Sequence, residues 1–351
     1  MKIFVTGGAG FIGSSFIRFV LKLGRNFSVV NYDKLTYAGN LANLESVSHD
    51  PAYRFAKGDI CDAAEVETAM KGCDAVVHFA AESHVDRSIY EPAPSIQSNV
   101  NGTFTLLQVA KKVGISKFLH ISTDEVYGDL PSGTFADEEH PLRPSNPYSA
   151  TKAASDFLVL SYFRTYGFPA IITRSSNNYG PYQFPEKFIP LLITNAHENR
   201  PLPIYGDGAQ QRDWLHVEDN CRGILMVLER GQLGGIYNIG GLEIEENLNL
   251  ARRLLHLMGK PESLVAFVKD RPGHDRRYAL NCGKIKEQLG WKPAISLEDG
   301  LRQTIDWYQK NQGWLASVRG GEYRTYYKKY YENRDSSLSA IAASEAQSSH
   351  S

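Results

Sequence analysis

Cysteine is scarce in this chain: four in 351 residues, at positions 61, 73, 221 and 282. Cys61, Cys73, Cys221 and Cys282 include no close pair, which excludes a short-spaced zinc or redox motif and leaves no disulfide framework to read. Such thiols are expected as small buried residues in a reducing, cytoplasmic compartment. Net charge is scarce as well. The 38 Lys and Arg nearly cancel the 39 Asp and Glu, so no electrostatic footprint for nucleic acid or a membrane surface is present. No apolar run approaches the ~20 residues needed to span a bilayer. The N-terminus enters a strand pattern at once (KIFVTGG), so no leader is expected. No metal-ligand cluster is seen and no metal is expected.

What the chain does contain is alternation. KIFVTG, FSVVNYD, YRFAKGD, AVVHFAA, KFLHIS and PAIITRS read as strands. Continuous Val/Ile/Phe-rich runs of this kind fit strands covered on both faces. Between them FIGSSFIRFVLKLG, DAAEVETAMKG and SIQSNVNGTFTLLQVAKKVG read as helices. The order implies an α/β chain with a doubly wound parallel sheet. After about Ser175 the texture turns to loops rich in Pro, Asn and Gly, and helical periods return at EDNCRGILMVLERG, ENLNLARRLLHLMG and SLEDGLRQTIDWYQKN. A smaller, interleaved α/β domain is expected there. The expected division is 1–174 with a return segment at about 213–240, against 175–212 and 241–335; 336–351 reads as a disordered tail.

Three stretches carry chemistry. TGGAGFIG matches GxGxxG through Gly8, Gly10 and Gly13, and the looser GxxGxxG through Gly7, Gly10 and Gly13. It follows a strand, opens a helix, and has Asp33 at the end of the next strand, the context of a Rossmann-like dinucleotide site. Glycines let a pyrophosphate approach the backbone and the helix N-terminus, and Asp33 can accept from ribose hydroxyls. An acid there disfavours a 2′-phosphate and so favours NAD, although Lys34 beside it weakens that inference. In PSNPYSATKAASD, Asn146 or Ser145 suits an N-cap and Pro147 the first helical position. Tyr148 and Lys152 then stack one turn apart, where an ammonium and a cationic nicotinamide favour the phenolate. Alone, such a pair is common on helix surfaces. KFLHISTDEVYG ends a buried strand in Thr123, Asp124 and Glu125; in an arbitrary protein these acids would simply enter solvent. His78, on an apolar run, reads as a core histidine.

The Thr123, Tyr148 and Lys152 set resembles the active centre of the extended short-chain dehydrogenase/reductase family. The combination STDEVYG, YSATKAASD, SSNNYGPYQFPEK, PIYGDGAQQRDW and DRPGHDRRYA is similar to its dTDP-glucose 4,6-dehydratase branch, up to about Arg334. One segment departs: after Gly241 the chain reads LEIEENLNL where relatives usually place an Asn-Glu pair, while Asn247 still matches a substrate contact.

That resemblance implies tightly bound NAD, a dTDP-glucose substrate and a homodimer through SIQSNVNGTFTLLQVAKK and SATKAASDFLVLSYFRTYG. It implies Tyr148, Thr123 and Lys152 for C4 oxidation, Glu125 for removing the C5 proton and Asp124 for protonating the departing C6 hydroxyl. Adjacency alone does not say which acid does which. Gly7, Gly10, Phe11, Ile12, Gly13, Asp33, Lys34, Leu35, Thr36, Asp59, Ile60, Ala80, Ala81, Ser83, Asn99, Tyr148, Lys152 and Asn178 are the implied cofactor residues. His84, Thr123, Asn177, Lys187, Phe188, Pro203, Tyr205, Arg212, Asn247, Arg271 and His274 are implied for the sugar nucleotide, whose diphosphate needs Lys or Arg. A related epimerase or decarboxylase is the alternative within enzymes, disfavoured by the Asp-Glu pair. A non-catalytic NAD-binding regulator is the alternative outside them. GEYRTYYKKYYENR interleaves aromatic and basic residues. Helix packing is the expectation there rather than base stacking.

Overall fold

Apolar runs become strands where both faces are covered. The computed structural model describes residues 1–320, in which the strands are β1 (Lys2–Thr6), β2 (Ser28–Asp33), β3 (Tyr53–Lys57), β4 (Ala75–His78), β5 (Lys117–Thr123), β6 (Ala170–Ser175), β7 (Asn177–Tyr179), β8 (Leu202–Tyr205), β9 (Gln211–His216), β10 (Ile236–Ile239), β11 (Ile244–Glu246) and β12 (Val265–Val268). Seven form one sheet in the order β10-β6-β5-β4-β1-β2-β3, every neighbouring pair parallel. Ile3, Val5, Leu119 and Ile171 pack on one face, and Phe4, Val76, Phe118 and Ile172 on the other. Each such burial contributes roughly 1.5–3 kcal/mol. The expected doubly wound α/β class is observed; all six expected runs lie in the sheet, and the edge strand β10 is additional.

The chain steps outward from β1 to β2 and β3, then returns to β4 on the other side of β1. That reversal opens a crevice at the carboxyl ends of β1 and β4, where open α/β sheets bind ligands.

Local signals set the helix at YSATK. Asn146 Oδ1 accepts the Ser149 N–H at 2.9 Å, the Ser149 hydroxyl accepts the Asn146 N–H, and Pro147 occupies the first turn. The helix Pro147–Tyr166 ends at Gly167, whose φ of +61° suits glycine. The single helix expected over 95–114 is instead interrupted: Ala93–Ser95, a π-helix over Ile96–Gly102, and an α-helix over Thr103–Val113. Asn99 lies in the π segment, with its side chain drawn to Glu82 and Thr151. Gly102 lies so close to Ile60 that an added Cβ would sit 2.4 Å from its Cδ1. Wide turns of this sort mark functional positions.

The remaining strands form a three-stranded sheet, β11-β9-β7, and a two-stranded one, β12-β8. Tyr179, Leu192, Trp214, Leu250 and Leu301 belong to a core of their own. Residues 211–216 pair in this smaller sheet; the chain rejoins the large one only at β10, after the helix Val217–Arg230 packs on the helix Phe11–Lys22. No helix among the described residues is long and apolar enough to cross a membrane. The segment GEYRTYYKKYYENR and the tail after it lie outside the described residues.

Candidate active site

The glycine turn stands at the crevice. Gly7 has a φ of +67°, and a Cβ on Gly13 would meet the Gly7 carbonyl at 2.3 Å, so both positions require glycine. Gly10 precedes the helix Phe11–Lys22, which has no side-chain cap, leaving its first N–H groups available to an anion. Asp33 accepts the Ala9 N–H at 2.9 Å and the Leu35 N–H at 2.8 Å. Burial pushes its carboxyl upward against those bonds. Lys34 is paired with Asp59 at 2.7 Å. Every residue expected around the cofactor lines this cleft except Leu35 and Asn99. Leu35, at φ +58°, buttresses Asp33 through its N–H; Asn99, buried, ties the Glu82 backbone to Thr151. His78 is a core residue, its ring between the hydroxyls of Thr6 (2.7 Å) and Thr103 (3.0 Å).

Farther along the cleft, β5 delivers Thr123 and a tight turn of Asp124–Tyr127. The Thr123 hydroxyl accepts the Glu125 N–H at 3.3 Å, lies 3.2 Å from Asp124 Oδ1 and hydrogen-bonds the Tyr148 phenol. Lys152 donates to the Ile121 carbonyl at 2.7 Å and lies 3.5 Å from His120 Nε2. Burial lowers its ammonium to about 8, with Asp156 opposing. These contacts hold Lys152 against β5, one helical turn from Tyr148. Burial, then Glu125, pushes the Tyr148 phenol up, with the hydrogen bond to Thr123 opposing them.

Asp124 and Glu125 are not solvated loop acids. Asp124 is 3% exposed, and Asp124 Oδ2 and Glu125 Oε2 are buried without a hydrogen-bond partner among the described residues. Burial raises both, but their neighbours act in opposite senses. Glu125 and then Asp213 drive Asp124 further up, against a smaller downward pull from Arg212, whereas Arg271, Arg212 and Lys187 pull Glu125 back down, against a smaller upward push from Asp275. Those surroundings keep a proton on Asp124 more firmly than on Glu125.

A second cavity adjoins the first, and Ser83, Glu125, Asn177, Glu186 and Lys187 line both. All the residues expected around the sugar nucleotide line it except Thr123, which faces the first cleft. Its cations are held in place: Lys187 donates to the Ser83 carbonyl at 2.8 Å, Arg271 pairs with Asp86 at 2.8 Å, and Arg212 donates to the Asp275 and Gln211 carbonyls, both at 2.8 Å. His274 lies 2.6 Å from Asp270 and edge-on to Tyr205, and burial followed by Arg271 and Arg212 lowers its ring to about 4. His84 caps the helix Val85–Tyr90 and is kept neutral by burial. Asn177 Oδ1, Asn247 Oδ1 and Arg271 Nε are buried and unbonded among the described residues. They suit a polar ligand, and the departure after Gly241 leaves Asn247 in place.

Sequence reasoning missed Tyr182, Gln183, Glu186, Trp314 and Val318, which line the first cleft, and Asp213 behind Asp124. Gly240 follows the last residue of β10 and touches Asp213: a Cβ there would lie 2.4 Å from Asp213 Oδ2. An acid between Arg212 and Trp214 in a strand was the available signal for Asp213. Tyr182 and Gln183 lay inside a quoted motif without a role.

A family model described as GDP-mannose 4,6 dehydratase matches residues 4–304. The chain is 49% identical to the dTDP-glucose 4,6-dehydratase of Salmonella typhimurium, with 95% of this chain and 100% of that protein covered. It is 52% identical to the dTDP-glucose 4,6-dehydratase of Haemophilus influenzae, with 89% and 98% covered. The dTDP-glucose 4,6-dehydratase of Streptomyces venezuelae, solved with NAD bound, superposes with a TM-score of 0.89 at 50% identity, covering 91% of this chain and 100% of that one. The UDP-glucuronic acid 4-epimerase of Bacillus cereus superposes at 0.83 with 31% identity, covering 88% and 99%. The chain belongs to the nucleotide-sugar 4,6-dehydratase family, in the branch of the dTDP-glucose 4,6-dehydratases.

Proposed function

We propose that this protein removes water from dTDP-glucose, giving dTDP-4-keto-6-deoxyglucose, with NAD as its resident cofactor. The observation that carries the reading is the Asp124–Glu125 pair: Asp124 lines the first cleft, Glu125 lines both cavities, and their charged neighbours on balance raise the first and lower the second. The residues fit NAD: glycines at the turn, an uncapped helix N-terminus for the pyrophosphate, and Asp33 for the ribose. Because Lys34 is already paired with Asp59, Asp33 would repel a 2′-phosphate, which favours NAD over its phosphorylated form. When bound, NAD supplies a hydride acceptor for C4 and a hydride donor for C6.

The chain moves the protons. Tyr148 takes the proton of the C4 hydroxyl, with Thr123 hydrogen-bonding that oxygen and Lys152 fixed against β5 behind it. A C4 ketone makes the C5–H acidic. Glu125, whose neighbours favour its ionised form, removes that proton, and Asp124, held protonated, gives its proton to the C6 hydroxyl as it leaves as water. Lys187, Arg212 and Arg271 hold the diphosphate in the second cavity.

The division into a cofactor-holding body built on the large sheet and a sugar-nucleotide-holding body on the small ones is part of this reading. A homodimer is proposed too: Phe104, Phe157 and Tyr166 are exposed on the two helices expected to pair, Phe157 at 60%. A reducing, cytoplasmic setting accompanies it, in keeping with the four free thiols. The decisive assay is incubation with dTDP-glucose followed by mass analysis of the product. Loss of one water is expected. An isobaric sugar nucleotide would mark an epimerase, and unchanged substrate with NAD bound a non-catalytic binder; either result overturns the proposal.

A further inference from the structure

The cofactor cleft is walled in part by residues from the far end of the described chain. Trp314 and Val318, in the helix Gln312–Val318, line it together with Tyr182 and Gln183. None of these four lines the second cavity. The indole Nε1 of Trp314 donates to Asn43 Oδ1 at 2.8 Å, across 271 positions of sequence. Asn43 is buried and lies in the short helix Leu41–Val47. Its Nδ2 donates at 3.0 Å to the carbonyl of Ala9, inside the glycine turn. The same carbonyl accepts the Asn40 N–H at 3.0 Å, while the Ala9 N–H is bound by Asp33. A continuous hydrogen-bonded chain therefore links Trp314 to Asn43, to the glycine turn, and to the acid that faces the ribose.

The chemistry of the two side chains makes this link directional. An indole N–H can only donate, and an amide has one donating and one accepting end. Reversing the Asn43 amide would set N–H against N–H at Trp314 and oxygen against oxygen at Ala9, so the two neighbours together allow one orientation. Trp314 is itself held by aromatic contacts, with ring centroids 5.0 Å from Trp307 and 5.8 Å from Tyr182. Tyr182 in turn packs 4.4 Å from Trp307 and carries the Arg18 guanidinium 4.0 Å above its ring. Arg18 also donates to the Asn43 carbonyl.

We infer that Trp314 is a cofactor-retention residue: through Asn43 it locks the glycine turn in its binding shape and walls the cleft, on a side the sugar nucleotide does not use. The inference rests on the reading of this cleft as an NAD site. It separates traffic in the two cavities, so substrate and product exchange through the second while the cofactor stays behind Trp314 between turnovers.

The test measures NAD loss from the purified holoenzyme, by gel filtration followed by quantitation of the nucleotide still bound. Trp314→Phe keeps a ring in place and removes only the N–H. It should release NAD on the order of five- to tenfold faster, the effect of one net hydrogen bond, and activity lost on filtration should return when NAD is added. Asn43→Asp breaks the same chain at the Ala9 end and should act in the same direction, which keeps the inference testable if the tryptophan variant does not fold. Release from Trp314→Phe at the unsubstituted rate overturns the inference, even if its melting temperature falls, because that pattern describes packing alone. Failure of the unsubstituted protein to hold or take up NAD sinks the cofactor reading itself, a result distinguishable from the first.

Discussion

The two cavities that meet at Glu125 are built from different materials. The cofactor cleft is made largely of backbone, glycines and strand ends, and Lys34 on its wall is already paired with Asp59. The second cavity brings Lys187, Arg212 and Arg271 into one recess and fixes each with a carbonyl or a carboxylate. One wall offers mainly shape and N–H groups and the other mainly charge, with Lys187 on both. Asp124 and Glu125, adjacent in sequence, fall on opposite sides of that contrast. Glu125 and Asp213 outweigh Arg212 at Asp124 and drive it to keep its proton, whereas Arg271, Arg212 and Lys187 help Glu125 to lose its own. In the proposed mechanism, these surroundings make one of two similar side chains the acid and the other the base.

The largest break in this contrast comes from its base. Glu125→Gln should lower turnover by roughly 10²–10⁴-fold, the range of general-base catalysis, with bound NAD retained as measured by nucleotide content. Next is the cationic wall. Arg271→Ala removes a proposed ligand for the diphosphate and takes from Asp86 the guanidinium paired with it at 2.8 Å. Truncating such a charge pair costs about 2–5 kcal/mol, so KM for dTDP-glucose should rise by roughly thirtyfold or more.

The acid behind Asp124 responds through pH. Burial pushes Asp213 up to about 7, so the folded protein keeps a proton that the unfolded chain loses near pH 4. Its stabilising contribution is complete below that value and disappears as pH rises toward 7. In thermal melts, Asp213→Asn should therefore gain on the unsubstituted protein as pH increases from 4 to 8. The same change relieves Asp124 of one repulsion, and the alkaline limb of kcat should move to lower pH. An unchanged limb would remove Asp213 from the account. The smallest effect concerns the scaffold: Asn146→Ala deletes a cap worth ~1 kcal/mol and should lower the melting temperature slightly, leaving the contrast between the acids intact.

Legibility in the sequence follows how local each feature is. The glycine turn, Asp33, the Asn146 cap and the end of β5 are set by neighbours a few positions away, and all stand where the motifs placed them. Leu35 and Asn99 were legible as positions but not as roles, because each acts by hydrogen-bonding another residue rather than by facing the cleft. The interruption of the helix over 95–114 was hidden because it depends on Glu82, Thr151 and Ile60 closing around Asn99 and Gly102. In the second cavity the cations were found by resemblance, but their partners were not. Asp86 and Arg271 are 185 positions apart, and nothing periodic joins them. The strands of the smaller sheets are three to six residues long and pair across wide gaps in sequence, too short for a pattern to declare itself. Trp314 reaches Asn43 by the same kind of long-range closure.

The division of labour between the two acids is tested most directly by turnover in heavy water. Removal of the C5 proton by Glu125, followed by exchange with solvent and return of hydride to C6, predicts a product that has lost one water and carries one deuterium at C5. Under the same conditions Glu125→Gln should return dTDP-glucose with no deuterium at C5. A dehydrated, C5-deuterated product released by that variant at the unsubstituted rate would contradict the account.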